Sequence, residues 1–113
     1  MLKPALLATF TLLCAFSAHA QDYVITIKAH QFSPKELTVP AGVKVKLIIK
    51  NEDATPAEFE SNDFDREKIV SAKSEISVFI GPLDPGRYAY FDDFHPDTTT
   101  GVIIAKAATG AAL

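Results

Sequence analysis

Two carboxylates and an imidazole stand close together in the stretch YAYFDDFHPDTTTG, residues 88–101. Asp92 and Asp93 follow alternating aromatic residues, and His95 comes three residues after the first acid. Carboxylate oxygen and imidazole nitrogen are hard to borderline donors, which suit iron, copper(II), zinc or manganese better than copper(I). The spacing predicts a metal-binding loop. The side chains of the two acids point to opposite faces of an extended backbone, so at most one of them points directly at a metal. The spacing does not decide which of the two it is.

A leader precedes the part of the chain that carries these residues. A positive residue is followed by an almost wholly apolar run and a small-x-small cleavage site at residues 18–20. This pattern predicts a signal peptide over residues 1–20, a single domain over residues 21–113 and export to the periplasm. The apolar run is shorter than the roughly 20 residues of a membrane span. A lipid anchor on Cys14 would require a smaller residue before it.

The predicted mature chain contains no sulfur, because the only cysteine and the only methionine, Cys14 and Met1, leave with the leader. His30 and His95 are its only histidines. The predicted mature chain has ten lysines and arginines and fourteen acidic residues, so its net charge is negative. A negative net charge argues against nucleic acid as a partner.

Apolar and polar residues alternate with a period of two along most of this chain, as in VKVKLIIK at residues 43–50. Turns containing proline and glycine separate the runs, at residues 40–42 and 83–86. The pattern predicts an all-β, antiparallel Greek-key β-sandwich. Residues 62–69 are the one segment that could form a helical turn, and their apolar positions are too sparse for a long helix.

Three stretches together resemble the cupredoxins. They are FSPKELTVPAG at residues 32–42, NEDATP at residues 51–56 and GRYAYF at residues 86–91. The resemblance covers nearly the whole mature chain and implies the same sandwich. However, Ala57 stands where that family has its first copper histidine, and Asp92 stands where it has its cysteine. A blue-copper centre needs a thiolate and two imidazoles, so blue-copper electron transfer is excluded.

The pattern of residues that differs from the copper-binding cupredoxins resembles a narrower group. This group is the cupredoxin-like periplasmic proteins that accompany bacterial iron permeases, including the N-terminal domain of EfeO-type uptake proteins. The carrying residues are DATPAEFES at residues 53–61, REK at residues 66–68, GPL at residues 81–83 and FHP at residues 94–96. The resemblance implies a metal ion, iron or copper(II). It also implies an inner-membrane iron permease, with its companion periplasmic or redox proteins, as partner. In that group the position of Ala57 is often acidic, so this chain departs from it there.

In a cupredoxin arrangement, the loops that carry these residues meet at one end of the sandwich. The resemblance therefore implies that five candidate ligands come together, namely His95, Asp92, Asp93, His30 and Glu58. Glu67 is a further candidate, either as a second ligand or as an ion-pair partner of its neighbours Arg66 and Lys68.

Most candidates also have an ordinary structural explanation. His95 could stack on Phe94, and His30 could be a surface histidine at a strand end. Glu58 shares a strand face with Glu60, opposite an inward-facing Phe59, and could protect an exposed strand edge.

Two functions remain open. The first is an exported metal-binding accessory protein of an iron-permease uptake system, which captures periplasmic iron or helps to oxidise it. The alternative, favoured by Ala57, is a metal-free interaction module that docks on a membrane transporter. Independent catalysis is not expected, since two histidines cannot build a multicopper centre and no Glu-x-x-His motif supports a di-iron site. The oligomeric state is left open.

Overall fold

The computed structural model describes residues 21–108, which form nine β-strands and no helix. The strands are β1 (Asp22–Lys28), β2 (Gln31–Ser33), β3 (Glu36–Pro40), β4 (Val45–Asn51), β5 (Ala57–Ser61), β6 (Arg66–Val70), β7 (Glu75–Ile80), β8 (Gly86–Asp92) and β9 (Thr100–Lys106). The helical turn that the sequence allowed within residues 62–69 does not form. A tight turn at residues 62–65 leads directly into β6, which is extended because it pairs antiparallel with β5 over its whole length.

The predicted leader, residues 1–20, lies outside the described residues, as do residues 109–113. Among residues 21–108, no helix is long and apolar enough to cross a membrane.

The strands form two sheets that enclose one core. The first sheet has the order β2-β1-β4-β7, and the second has the order β3-β9-β8-β5-β6. The predicted all-β sandwich is therefore confirmed. Two pairings, β1 with β4 and β3 with β9, are parallel rather than antiparallel. Both join strands that are distant in sequence, so the sandwich is mixed.

Alternate side chains of each strand fill the space between the sheets. In β4, Val45, Leu47 and Ile49 are buried, whereas Lys50 is exposed. Burial of one such aliphatic side chain contributes roughly 1.5–3 kcal/mol. The alternation read from the sequence is thus the pattern that holds the two sheets together.

An aromatic cluster lies at the centre of the core. The Tyr90 ring packs edge-on against Phe32, with ring centroids 4.9 Å apart, and lies 5.3 Å from the Phe59 ring. On the neighbouring strand, Gly101 is the register partner of Tyr90. A Cβ at position 101 would collide with the Tyr90 ring, so only glycine leaves room for it. Burial raises the pKa of Tyr90, which keeps the phenol neutral.

The free edges of the two sheets meet where β6 approaches β7. Arg66 Nε donates a hydrogen bond to the Phe79 carbonyl at 2.8 Å, and Lys68 Nζ donates one to the Ser77 carbonyl at 3.3 Å. Side chains of one edge strand thereby occupy main-chain acceptors of the other. Such charged side chains are a known protection against edge-to-edge pairing of strands.

Candidate metal centre

The end of β8 divides the predicted ligands between two sides of the second sheet. Asp92 is buried, with 1% of its surface exposed, whereas Asp93 is exposed on the opposite face. Consecutive side chains of a strand point in opposite directions, as the sequence predicted. The candidates therefore form two groups. We call them the imidazole group (His30, His95 and Asp92) and the carboxylate group (Glu58, Glu60, Glu67 and Asp93).

The imidazole group lies at the loop end of the sandwich. His95 Nδ1 is 3.3 Å from Asp92 Oδ2, and the ring centroids of His30 and His95 are 4.2 Å apart. The side chains of His30 and His95 are 44% and 36% exposed, so a metal ion can reach both rings from solvent. His95 contacts His30, and the stacking on Phe94 that the sequence allowed is not among the aromatic pairs of residues 21–108.

Asp92 is fixed by the backbone around it. Its Oδ1 accepts hydrogen bonds from the Glu58 amide at 2.9 Å and from the Phe94 amide at 3.0 Å. The His95 amide donates to the Asp92 carbonyl at 2.9 Å. Oδ2 is left to face the imidazole. The carboxylate is therefore held in one orientation before any ion arrives, which is the usual requirement for a precise metal site.

The separation of Asp92 Oδ2 and His95 Nδ1 indicates whether these two atoms can bind one metal ion. A charge-assisted N–H···O hydrogen bond is about 2.7–2.9 Å long, so the contact at 3.3 Å is a long hydrogen bond that still lies within ion-pair distance. Two atoms that bind one ion tetrahedrally at about 2.0–2.2 Å lie roughly 3.3–3.6 Å apart. The spacing in the structure thus fits an ion pair in the metal-free protein and two ligands of the same ion when a metal binds.

Asp53 positions His30, a role that the sequence analysis did not assign to it. Its two carboxylate oxygens accept hydrogen bonds from the Ala29 and His30 amides, at 2.7 and 3.0 Å. The bond from the His30 amide is the main reason that the pKa of Asp53 is lowered. Both residues of this turn have positive φ, 49° and 55°, which costs energy in residues other than glycine. Asp53 stabilises that conformation and so presents the His30 ring to His95.

The carboxylate group lies on the outer face of the sheet. Glu58, Glu60 and Asp93 each offer a carboxylate oxygen within 4.8 Å of the others. Glu60 faces Glu67 across β5 and β6, and the Asp93 amide donates to the Glu58 carbonyl. As the sequence predicted, Phe59 is buried between the two outward glutamates. The structure thus places Glu60, which the sequence indicated only as sharing a strand face with Glu58, together with three of the predicted candidates.

Repulsion among these carboxylates changes their protonation. A hydrogen bond with Glu67 is the main cause that raises the pKa of Glu58 to about 7, and nearby acids add to it. The pKa of Glu60 is also raised, first by burial and then by Asp93 and Glu67. Near neutral pH the group therefore retains a proton that a bound cation would displace.

Glu67 does not form the ion pairs that its neighbours suggested. Arg66 and Lys68 point to the other side of β6, where their side chains hydrogen-bond to carbonyls of β7. None of the ion pairs between described residues involves Glu67. Its carboxyl group instead acts on Glu58, whose pKa it raises.

The types of ligand atom that the described residues offer determine which metal ions the site suits. Residues 21–108 contain no cysteine and no methionine, so they provide no thiolate for a blue-copper centre. Ala57, which the sequence resemblance places where cupredoxins have a copper histidine, is buried in the core and has no side-chain donor. Two imidazoles and several carboxylates remain, and these suit copper(II), zinc or iron.

Residues 4–105 match the family model of the cupredoxin-like domain. The chain belongs to the cupredoxin-like domain family. This cupredoxin-like protein is 51% identical over 82 residues to an uncharacterized protein of Rickettsia prowazekii (strain Madrid E). The match covers 73% of this chain and 66% of that protein, which is less than two thirds of its length.

Solved structures show the same fold. Amicyanin from Paracoccus versutus superposes with a TM-score of 0.61 at 20% identity, over 80% of this chain and 86% of that chain. Auracyanin A, a "blue" copper protein from Chloroflexus aurantiacus, gives 0.64 at 15% identity, over 76% and 98%. At these identities the likeness establishes the cupredoxin fold, and the ligands must be argued from the residues of this chain.

Proposed function

We propose that this cupredoxin-like protein is an exported metal-binding protein that handles iron, with copper(II) as a second metal, for an inner-membrane iron permease. The observation that carries the proposal is the imidazole group. Asp92 and His95 lie at one accessible end of the fold at the separation of two ligands of one ion, and the His30 ring lies beside His95. His30 would become the third ligand by turning its ring, because its nitrogens do not lie within 4.8 Å of both other donors.

Each residue of the imidazole group would supply a different ligand atom to a bound metal ion. Asp92 would supply a fixed anionic oxygen, because its other oxygen is held by two amides. His95 and His30 would supply nitrogen from rings that are open to solvent. A bound metal would offer Lewis-acid or one-electron redox chemistry at this end of the sandwich.

The carboxylate group supports iron as the cargo. Anionic oxygen donors are hard ligands, and such ligands favour the ferric over the ferrous ion. The protonated Glu58 and its three acidic neighbours form a patch that attracts cations and releases a proton when one binds. Capture of periplasmic iron, or assistance with its oxidation, would use this preference.

A binding titration tests the metal site. Purified residues 21–113, freed of metal, should bind copper(II) or iron with a dissociation constant below about 1 µM. His95→Ala should weaken binding at least tenfold, or about 1.4 kcal/mol. Asp97→Asn, on the exposed part of the same loop, is the matched control and should bind as the parent does. Equal affinity of the His95→Ala variant would remove this loop from the site.

An uptake experiment tests the iron role separately. Cells that depend on an iron permease for growth in low iron should grow less well when the gene for this protein is deleted. The wild-type gene should restore growth, and the His95→Ala gene should not. Unchanged growth together with tight metal binding would reject the permease partnership while leaving the metal site. Absence of any metal binding, with growth still dependent on the protein, would favour the metal-free docking module.

A further inference from the structure

A second polar site lies outside both donor groups, at the end of the first sheet. It is an open cleft of about 510 Å³, within the usual size range of small-molecule sites. Its lining residues are Lys28, Lys50, Asn51, Glu52, Lys73, Ser74 and Glu75. Three lysines thus face one cleft in a protein whose overall charge is negative. We call it the lysine cleft.

Two of the three lysines have no acidic partner among the described residues. The ion pairs of residues 21–108 include neither Lys28 nor Lys50. Glu75 is the register partner of Lys50, but the two do not approach within ion-pair distance. Like charges that share a surface repel each other, so an unneutralised pair of ammonium groups is a cost that a bound anion would relieve.

The wall of the lysine cleft is tied down by main-chain hydrogen bonds. The Asn51 amide donates to the Ser74 carbonyl at 2.8 Å, and the Lys73 amide donates to the Asp53 carbonyl at 3.1 Å. Lys73 Nζ donates to the Glu52 carbonyl, which fixes the third ammonium at the rim. Lys73 also has a positive φ of 54°, a conformation that these contacts must stabilise. The rim is therefore preorganised, and less entropy is lost when a ligand binds.

We propose that the lysine cleft binds a small soluble anion with two or more carboxylate or phosphate groups. Each of the three ammonium groups can pair with one anionic group of such a ligand, although Glu52 and Glu75 line the same cleft and reduce its formal charge to +1. The two carboxylates disfavour a broad anionic surface, which would approach them as well as the lysines. The proposal needs no metal and does not depend on the proposed function.

Calorimetric titration at constant ionic strength tests the lysine cleft. Metal-free residues 21–113 would be titrated with inorganic phosphate and with tricarballylate, a tricarboxylate. We expect saturable binding of at least one of them at millimolar or lower concentration. Lys28→Gln combined with Lys50→Gln should weaken it about tenfold.

The matched control removes the same number of positive charges from a different part of the surface. Lys44 and Lys46 lie on the same sheet at the other end of β4, where Lys44 packs over Phe79 and Lys46 pairs with Asp22. Lys44→Gln combined with Lys46→Gln should change affinity less than twofold. Equal weakening by both double variants would show diffuse charge rather than a site, and would overturn the proposal. No saturable binding below about 10 mM, or binding only to anionic phospholipid vesicles, would overturn it as well.

Discussion

Asp92 combines two roles, and two substitutions separate them. Its Oδ1 accepts hydrogen bonds from the Glu58 and Phe94 amides, and its Oδ2 faces the His95 imidazole. Asp92→Ala removes both the acceptor and the ligand. Asp92→Asn keeps an oxygen for the amides but places an NH₂ group opposite the imidazole. The two variants should therefore differ in stability and agree in metal binding.

The magnitude follows from the hydrogen bonds. Each of the two partly buried amides that lose their acceptor costs about 1–3 kcal/mol, so Asp92→Ala should lower the free energy of unfolding by about 2–6 kcal/mol. Asp92→Asn only converts charge-assisted bonds into neutral ones and should cost about 1 kcal/mol. A small domain has only about 5–15 kcal/mol of stability, so the difference is easily measured.

Urea denaturation of metal-free protein, followed by the fluorescence of its three tyrosines, gives both stabilities. Copper(II) titration of the same samples gives the affinities, and both variants should bind at least tenfold more weakly than the parent. If Asp92→Asn were as destabilising as Asp92→Ala, the buried charge rather than the two amide bonds would hold the loop. If Asp92→Asn bound metal as well as the parent, Asp92 would not be a ligand.

Three further predictions concern other parts of the fold. Glu58 keeps its proton to about pH 7 in the folded protein and ionises near its ordinary value of 4.5 when unfolded, so the free energy of unfolding should fall between those pH values. Glu58→Gln should flatten this decline, and Glu67→Gln should lower the pKa of Glu58, as measured by carboxyl NMR titration. Gly101→Ala should cost about 1–3 kcal/mol in urea denaturation, because the added methyl group collides with the tyrosine ring beside it. Arg66→Ala combined with Lys68→Ala should expose carbonyls of β7 and produce concentration-dependent self-association in light scattering.

Each of these has a control of the same kind. Glu36→Gln, on β3, should leave the decline in stability with pH unchanged. Gly86→Ala should be tolerated, since an added Cβ there meets other atoms at 3.7 Å or more. Arg87→Ala combined with Lys106→Ala should remain monomeric if the parent is. A Glu58→Gln variant with the parent's pH dependence, a stable Gly101→Ala protein, or a monomeric Arg66/Lys68 variant would contradict the corresponding explanation.

Local patterns predicted the fold because each strand alternates by itself. The run at residues 43–50 indicated which side chains of β4 are buried without knowledge of any other strand. The parallel pairings of β1 with β4 and of β3 with β9 were not predicted, because strand order depends on packing between distant segments. The sequence allowed a helical turn at residues 62–69 because β6 has four exposed residues before a single buried one, and its extended form depends on pairing with β5.

The candidate site was predicted by residue type but not by grouping. The loop motif named His95 and both acids as candidate ligands, and alternation predicted that Asp92 and Asp93 would face opposite ways, as they do. That Glu60 joins Glu58 and Asp93 depends on how β5 and β8 align in space, which no local spacing encodes. The role of Asp53 depends on a backbone turn 23 residues away from it, so its sequence context resembled an ordinary polar loop.

The alternation at the end of β8 also limits how this protein can evolve. Successive side chains of a strand alternate between its two faces. Inserting or deleting one residue between Gly86 and Asp92 would therefore turn the inward acid outward and the outward acid inward in a single step. Substitutions along β8 can accumulate one at a time, whereas changes in its length cannot. Length variation among descendants of this chain should therefore be confined to the turns, such as the one at residues 83–85, where the count of residues does not set which way a side chain faces.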